Sequence, residues 1–435
     1  MGALVHALIG SGLCNWRVGP DSRNPWFMAA EEAPSSDIPA EKDALRNLVV
    51  VSLCLTAAIL ANTMLLLAVP FKAIKLDVGP SLVGVIISAP YVLPMLLAIP
   101  MGGVVARFGC QKMIIAGALG MAVGPWVTLL FPSVASLFVT QVIVGLANMV
   151  LIISAQTVVS GLASGKRLEQ YFGWYTTCLS GGQLLGPITS GFLIDHFSVN
   201  VSLAAIGLIP LLSAIGALFF SRDIRKGGRS KRANGSYREQ WQLLRRNTGM
   251  QTSIMLTVTA LFVLSIHSTF MPVYLESLSL AASSIGLLLS IRAISSMAVR
   301  VVMSRIIDLC GGRNRAILIA IVLITGSLTV TGLVGDHYAL LVVLAVVIGV
   351  AGGISQPLSM VILSESVLPE QRSASMATRL MGNRGAQVLG PMLIGFLADM
   401  TNFTVAFAVM GGVLLVLYMT WVVRSGGFSQ RAAAQ

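Results

Sequence analysis

A chain of 435 residues that is 55% hydrophobic and only 11% charged, with a mean hydropathy of +0.85, carries too little charge to cover a soluble fold of that length. Lipid must solvate much of it. The net charge of +12 does not mark a nucleic-acid binder, because most of the basic residues fall in alternate loops between apolar runs.

Residues 1–46 read as a leader that is expected to be disordered and cytoplasmic. The opening stretch, Met1 to Leu8, is apolar but too short to span a bilayer, and no convincing cleavage site follows. From Met28 the text resembles an ordinary cytosolic leader, so translation is expected to begin there. A bilayer core of roughly 30 Å takes about 20 apolar residues per helix. Twelve such runs follow, near 47–70, 82–104, 113–132, 135–163, 171–195, 199–220, 251–275, 284–307, 315–334, 339–364, 375–398 and 402–423. They are continuous rather than alternating, which argues for helices and against a β-barrel. The expected architecture is an all-α membrane protein: a six-helix bundle over 47–220, a basic flexible linker over 221–250, a second six-helix bundle over 251–424 and a cytoplasmic tail over 425–435.

Charge orients the bundles. Arg107, Lys112, Lys166, Arg167, Arg305, Arg313, Arg315 and Arg372 share one set of loops with the basic linker, whereas the opposite loops hold only Lys72 and Lys75. That bias puts both termini and the linker in the cytoplasm. The five cysteines (Cys14, Cys54, Cys110, Cys178, Cys310) are scattered without metal-ligand spacing, so neither a disulfide framework nor a metal site is expected. No nucleophile arrangement or phosphate-cradling loop is found, so the expectation is a non-enzyme without a cofactor, drawing on an ion gradient rather than on bound ATP.

The two halves repeat. Gly186-Pro187-Ile188-Thr189-Ser190-Gly191-Phe192-Leu193-Ile194-Asp195 is echoed by Gly390-Pro391-Met392-Leu393-Ile394-Gly395-Phe396-Leu397-Ala398-Asp399, and upstream Gly145 aligns with Gly349 and Gln183 with Gln387. Duplicated apolar bundles point to a transporter whose solute site lies between the halves. Gly182, Gly186 and Ser190 recur every four residues on one face of the fifth span, and Gly382, Ala386 and Gly390 do so in the eleventh. Such faces let helices approach closely and are expected to serve as packing and sliding surfaces between the bundles. Pro187 permits a bend.

Polar residues inside the membrane are the candidate site, because burying them is costly. Arg292 and Arg384 each lie about 12–14 Å deep at 1.5 Å per residue and would attract an anionic group. His267 is the sole histidine placed well inside the membrane, where it is a candidate proton carrier. Gln141, Gly145 and Asn148 share a face of the fourth span, Asn62 and Thr63 lie in the first, and Gln356-Pro357 follows Gly352-Gly353 in the tenth. That last cluster suggests a broken or bent helix. Glu276 and Glu365 lie near helix ends and read as interfacial.

Short turns complete the picture. Gly102-Gly103-Val104-Val105-Ala106-Arg107-Phe108-Gly109-Cys110-Gln111-Lys112 follows the second span, and Ser304-Arg305-Ile306-Ile307-Asp308-Leu309-Cys310-Gly311-Gly312-Arg313 follows the eighth. With six spans, a basic loop and six spans, these turns resemble the major facilitator superfamily over about 47–424. The resemblance implies a cytoplasmic latch built from the Gly102, Arg107, Gly109 and the Asp308, Gly311, Arg313 turns, with Ala106 standing where the family has an aspartate. Gly173, Gly182, Gly186, Pro187, Ser190 and Gly191 are similar to the fifth-span signature of its drug:proton antiporters, which implies export. The arginine that this branch often places in the fourth span is replaced by Gln141, so the usual amino-half proton relay is absent. The family's first, fourth, seventh and tenth spans line its cavity, where Asn62, Gln141, Asn148, His267 and Gln356 fall. The reading is a monomeric cell-membrane transporter, preferably an exporter of a drug-like or metabolite compound, with a proton or sodium ion as the coupling ion. The alternatives are an importer or exchanger of a small organic anion, and a non-transporting receptor on the same fold.

Overall fold

The computed structural model describes residues 41–162, 165–221, 237–335, 337–367 and 372–424. Among them are six long helices before the central connection: α1 (Glu41–Ile74), α2 (Pro80–Phe108), α3 (Cys110–Leu130), α4 (Val134–Ser160), α5 (Gly165–His196) and α6 (Val199–Ala217). A short α7 (Tyr237–Arg246) precedes six more long ones, α8 (Thr248–Ser277), α9 (Ala282–Val301), α11 (Arg313–Val334), α12 (Tyr338–Ser366), α13 (Arg372–Met400) and α14 (Phe403–Arg424), with the small α10 (Met303–Leu309) after α9. Ten of the long helices are apolar enough to cross a membrane by composition; α5 and α13 fall short because glycine, glutamine, serine and arginine dilute their apolar content.

Local chemistry sets the helix ends. Ser133 and Ser136 form a reciprocal capping box at the start of α4, while Ser198 and Asn247 cap α6 and α8 through their side chains. Pro80 occupies the first turn of α2, where its missing N–H is harmless. Gly109, between α2 and α3, and Gly311, between α10 and α11, have φ of 86° and 75°, which only glycine adopts without strain.

Two expected boundaries shift. Helix α1 begins at Glu41, ahead of the expected start at 47, because a polar first turn with an Arg46–Asp43 ion pair at 3.9 Å extends it beyond the apolar run. Residues 1–40, including Met28, and the tail 425–435 lie outside the described residues. The expected linker contains α7, whose Leu243 and Leu244 pack on Met250, Leu363 and Val367. Gln251 Nε2 donates to the carbonyls of Leu244 and Arg245 and so satisfies the end of α7.

The halves pair alike. In the first, α1 packs on α5, α2 on α4, and α3 on α4 and α6; in the second, α8 packs on α13, α9 on α12, and α11 on α12 and α14. The seam between halves is also duplicated, with α2 along α13 and α5 along α9. A Cβ at Gly84 would overlap the Pro391 carbonyl, and one at Gly286 would overlap the Pro187 carbonyl. Ser88 Oγ donates to the Val388 carbonyl at 2.8 Å, and Ser290 Oγ donates to the Leu184 carbonyl at 2.7 Å.

The small faces Gly182/Gly186/Ser190 and Gly382/Ala386/Gly390 do not form this seam, contrary to expectation. Cβ atoms at Gly182 and Gly186 would meet Thr56, Ile59 and Thr63 of α1, and Ser190 bonds Ser202 of α6 at 3.0 Å, all within the first half. Gly382 and Gly390 likewise face α8. Gly191, one position beyond that row, is the residue that meets Ala282 of α9 across the seam. A four-residue period says which residues share a face, but not which neighbour the face meets.

At the end of the seam remote from the central connection, each half caps the other. Asp195, ending α5, accepts from the Ala282 and Ser283 backbone N–H groups at 2.9 and 2.7 Å; Asp399, ending α13, accepts from Ser81 Oγ at the start of α2. The Asp195 cap is worth about 0.5–2 kcal/mol, its carboxylate also favours the α9 N-terminus, and the Asp399–Ser81 side-chain hydrogen bond adds about 1 kcal/mol. The double variant Asp195→Ala/Asp399→Ala should raise maleimide labelling of a cysteine at Ile87 by about fivefold, on the scale of about 1 kcal/mol. Unchanged labelling would show that these caps do not hold the seam.

Candidate functional site

Between the halves, midway along the seam, runs a narrow crevice. Helix α1 supplies Asn62 and Leu65, α2 supplies Pro90 and Tyr91, α4 supplies Gln141, Gly145 and Asn148, and α13 supplies Arg384. The close approach of α2 and α4 depends on Gly145, where any Cβ would overlap the Pro90 backbone. Arg384 Cζ lies 5.8 Å from the Tyr91 ring centroid, a cation–π contact across the seam, and its Nη1 donates to Gln387 Oε1 at 3.0 Å. Gln141 is buried, and the Asn148 amide oxygen is buried without a hydrogen-bond partner.

The crevice is cationic. Arg384 is the charged residue in its described lining, and the described aspartates and glutamates sit toward helix ends, as with Asp77, Asp195, Glu276, Asp308, Glu365 and Asp399. A guanidinium held in such a gap favours a carboxylate or phosphate, and the amides offer both donors and acceptors.

Four predicted residues, Asn62, Gln141, Asn148 and Arg384, are thus brought together; His267, Arg292 and Gln356 are not among the crevice lining. His267 is 1% exposed on α8, with no partner for either ring nitrogen. Arg292 Nη2 donates to Ser268 Oγ at 3.1 Å, and its Nε is buried without a partner. Gln356 belongs to a third cluster around Arg379, which is 1% exposed. Helix α12 runs unbroken through Pro357, because the glycine pair before it is packed on α8 and α9 through Leu264, Ser296 and Val299.

Arg379 and Tyr91 escape sequence reasoning: the arginine sits close to a basic helix start, and the tyrosine is uncharged. Arg379 Nε and Nη2 donate to Ser359 Oγ, and Nη2 also reaches Thr257 Oγ1 and the Gln356 carbonyl and Oε1 at 3.2–3.3 Å. Among the described residues, the cation ties α13 to α8 and α12 through neutral oxygens. Arg379→Ala strands those acceptors at about 1–3 kcal/mol and leaves a cavity, so a lower melting temperature of purified protein is expected. Arg379→Lys should not restore it, since one ammonium cannot span the same fork. Wild-type melting of the alanine variant would refute this role.

The two basic turns, after α2 and after α10, are tight, as their positive-φ glycines require, with Gly102 in the last turns of α2. Arg107 lies over the Phe108 ring at 5.6 Å. Arg313 Nη1 donates to both carboxylate oxygens of Glu365 at 3.0 and 2.8 Å, whereas Asp308 is exposed and forms no ion pair among the described residues. The described cysteines Cys54, Cys110, Cys178 and Cys310 are free thiols.

Comparison with known proteins agrees with this geometry. The family model described as Major Facilitator Superfamily matches residues 51–331 and 253–433. The chain is 20% identical to the uncharacterized MFS-type transporter MJ1560 of Methanocaldococcus jannaschii over 330 residues, covering 73% of this chain and 84% of that protein. It is 30% identical over 121 residues to the multidrug efflux pump LfrA of Mycolicibacterium smegmatis, covering 27% of this chain and 24% of that one. Among solved structures, a mutant of the nucleoside transporter NupG superposes with a TM-score of 0.73 at 15% identity, over 87% of this chain and 99% of that one.

Proposed function

Since the chain belongs to the Major Facilitator Superfamily, we propose that it exports a small organic solute bearing an anionic group, carried through the Arg384 crevice by alternating access. It is a multi-pass membrane protein and a secondary transporter, not an enzyme. The observation that carries the anionic reading is the charge of the crevice, in which Arg384 stands against the Tyr91 ring among the amides of Asn62, Gln141 and Asn148. Export draws support from the fifth-span signature and from the partial match to a multidrug efflux pump.

With the basic loops on the cytoplasmic side of the cell (inner) membrane, both termini are inside and the hydrogen-bonded end of the seam faces out. Solute then enters the crevice from within, where the guanidinium takes its acidic group and the amides orient the rest. Binding draws α13 toward α2 and α4, the Gly102 and Asp308 turns come together, and the Asp195 and Asp399 caps release. The solute leaves, and a proton or sodium ion returning down its gradient resets the halves. One copy suffices for this cycle, so the working unit is a monomer.

The test is a solute screen in sealed vesicles of defined orientation under imposed pH and sodium gradients. Net movement of an organic anion from the central-loop side to the opposite side supports the reading. Net movement only in the reverse direction removes export, and preference for cations removes the anionic solute.

A further inference from the structure

The repeat that relates the halves carries the crevice lining onto a second set of residues. Gly145 meets the Pro90 backbone, and its counterpart Gly349 meets the Arg292 backbone, so Arg292 holds the place of Pro90 in the second half. Gly186 meets Leu60 and Thr63 of α1 and its counterpart Gly390 meets Phe262 and Ser265 of α8, so His267 and Ser268 stand where Leu65 and Leu66 line the crevice. Apolar residues of the first half are therefore replaced by a histidine, a serine and an arginine in the second.

Two of these groups carry donors not spent inside the protein, while the third, Ser268, gives its hydroxyl proton to the Leu264 carbonyl at 2.8 Å and holds the arginine. Arg292 Nη2 reaches Ser268 Oγ at 3.1 Å, Arg292 Nε is buried with no partner, and His267, 1% exposed, leaves both ring nitrogens unpartnered. Leu264, one turn before His267, packs on Gly352, and the Arg292 backbone packs on Gly349, so α8 and α9 converge on the same stretch of α12. A half-buried guanidinium with an unpartnered Nε and a buried imidazole without hydrogen bonds are each costly, and donor groups that face no protein acceptor call for an external one. No carboxylate among the described residues pairs with Arg292 to meet that need.

We propose that His267 and Arg292, with Ser268 positioning the arginine, form a second anion site, in the second half, which takes a small monovalent anion. A free halide and the carboxylate of the solute offer the same chemistry there. A bound anion would accept from the arginine and, with the imidazole N–H turned toward it, from His267. The site stands whether or not Arg384 holds the transported solute.

The test is thermal unfolding of the purified full-length protein in detergent, titrated with sodium chloride or sodium acetate at constant ionic strength held by a bulky sulfonate. A saturable rise in melting temperature is expected for wild type and for Arg384→Gln. The apparent affinity should fall at least about tenfold in Arg292→Gln and in His267→Leu, the loss expected when one charge-assisted hydrogen bond is removed. Should Arg292→Gln fail to fold, His267→Leu decides alone. A response to chloride assigns the site to a free anion, and a response to acetate only assigns it to a carboxylate; both support the proposal. Absence of a saturable shift in wild type, or an undiminished shift in His267→Leu, overturns it. Loss of the shift in Arg384→Gln as well would also overturn it, by placing the anion in the crevice.

Discussion

Gly286→Leu is expected to slow solute flux about 10- to 100-fold while leaving membrane insertion and bundle folding intact. Even a methyl group at this position overlaps the Pro187 carbonyl of the opposite half, so α9 must move away from α5. Overpacking of this kind costs about 1–3 kcal/mol, and each 1.4 kcal/mol is a factor of ten in the population of the affected state. The state affected is the one with the remote end of the seam closed, which every cycle must visit. Gly84→Leu, which overlaps the Pro391 carbonyl from the other side, should behave alike. Gly186→Leu is a contrasting control, because it strikes Thr63 of α1 inside the first half and so should lower stability as well as flux. Flux in proteoliposomes together with unfolding in detergent separates the cases. Wild-type flux in Gly286→Leu would mean that close seam packing is not needed for the cycle.

The second large effect belongs to the crevice. Arg384→Gln should weaken binding of an anionic solute by about 10- to 100-fold, the equivalent of losing a hydrogen bond to a charged group at about 1.5–3 kcal/mol. Binding of a neutral analogue should change little. Arg384→Lys keeps the charge but loses the planar fork and part of the stacking on Tyr91, so partial recovery is expected. Tyr91→Leu should cost less than either, near the roughly 0.5–2 kcal/mol of a cation–π contact. The measurement is KM against maximal rate for paired anionic and neutral solutes. An equal loss for both would assign Arg384 to packing rather than to charge recognition.

Much of the fold was legible because membrane helices announce themselves by length and hydropathy. Helices α5 and α13 are the instructive pair: diluted by Gly182, Gln183, Arg384 and Gln387, they fall below a plain hydropathy criterion, yet the duplicated Gly-Pro segment identifies them. Asn62, Gln141, Asn148 and Arg384 were legible because polar groups in lipid need a reason. Tyr91 and Pro90 send no such signal. Arg379 resembles an ordinary cytoplasmic-side cation until Ser359, Thr257 and Gln356 close around it from two other helices. Which neighbour a glycine row meets, and whether Pro357 breaks a helix, depend on packing across hundreds of residues of sequence separation, and periodicity along one helix does not contain that information.

The central claim is that two duplicated halves rock about the Arg384 crevice. Its most direct test is a pair of spin-label distances in lipid nanodiscs, taken with and without the solute found by the vesicle screen. One pair, at Phe197 and Ala281, spans α5 and α9 at the capped end of the seam; the other, at Trp174 and Val301, spans the same helices toward the central connection. Solute should create a population in which the first distance lengthens while the second shortens. Two distances that stay fixed, or that lengthen together, would contradict the account.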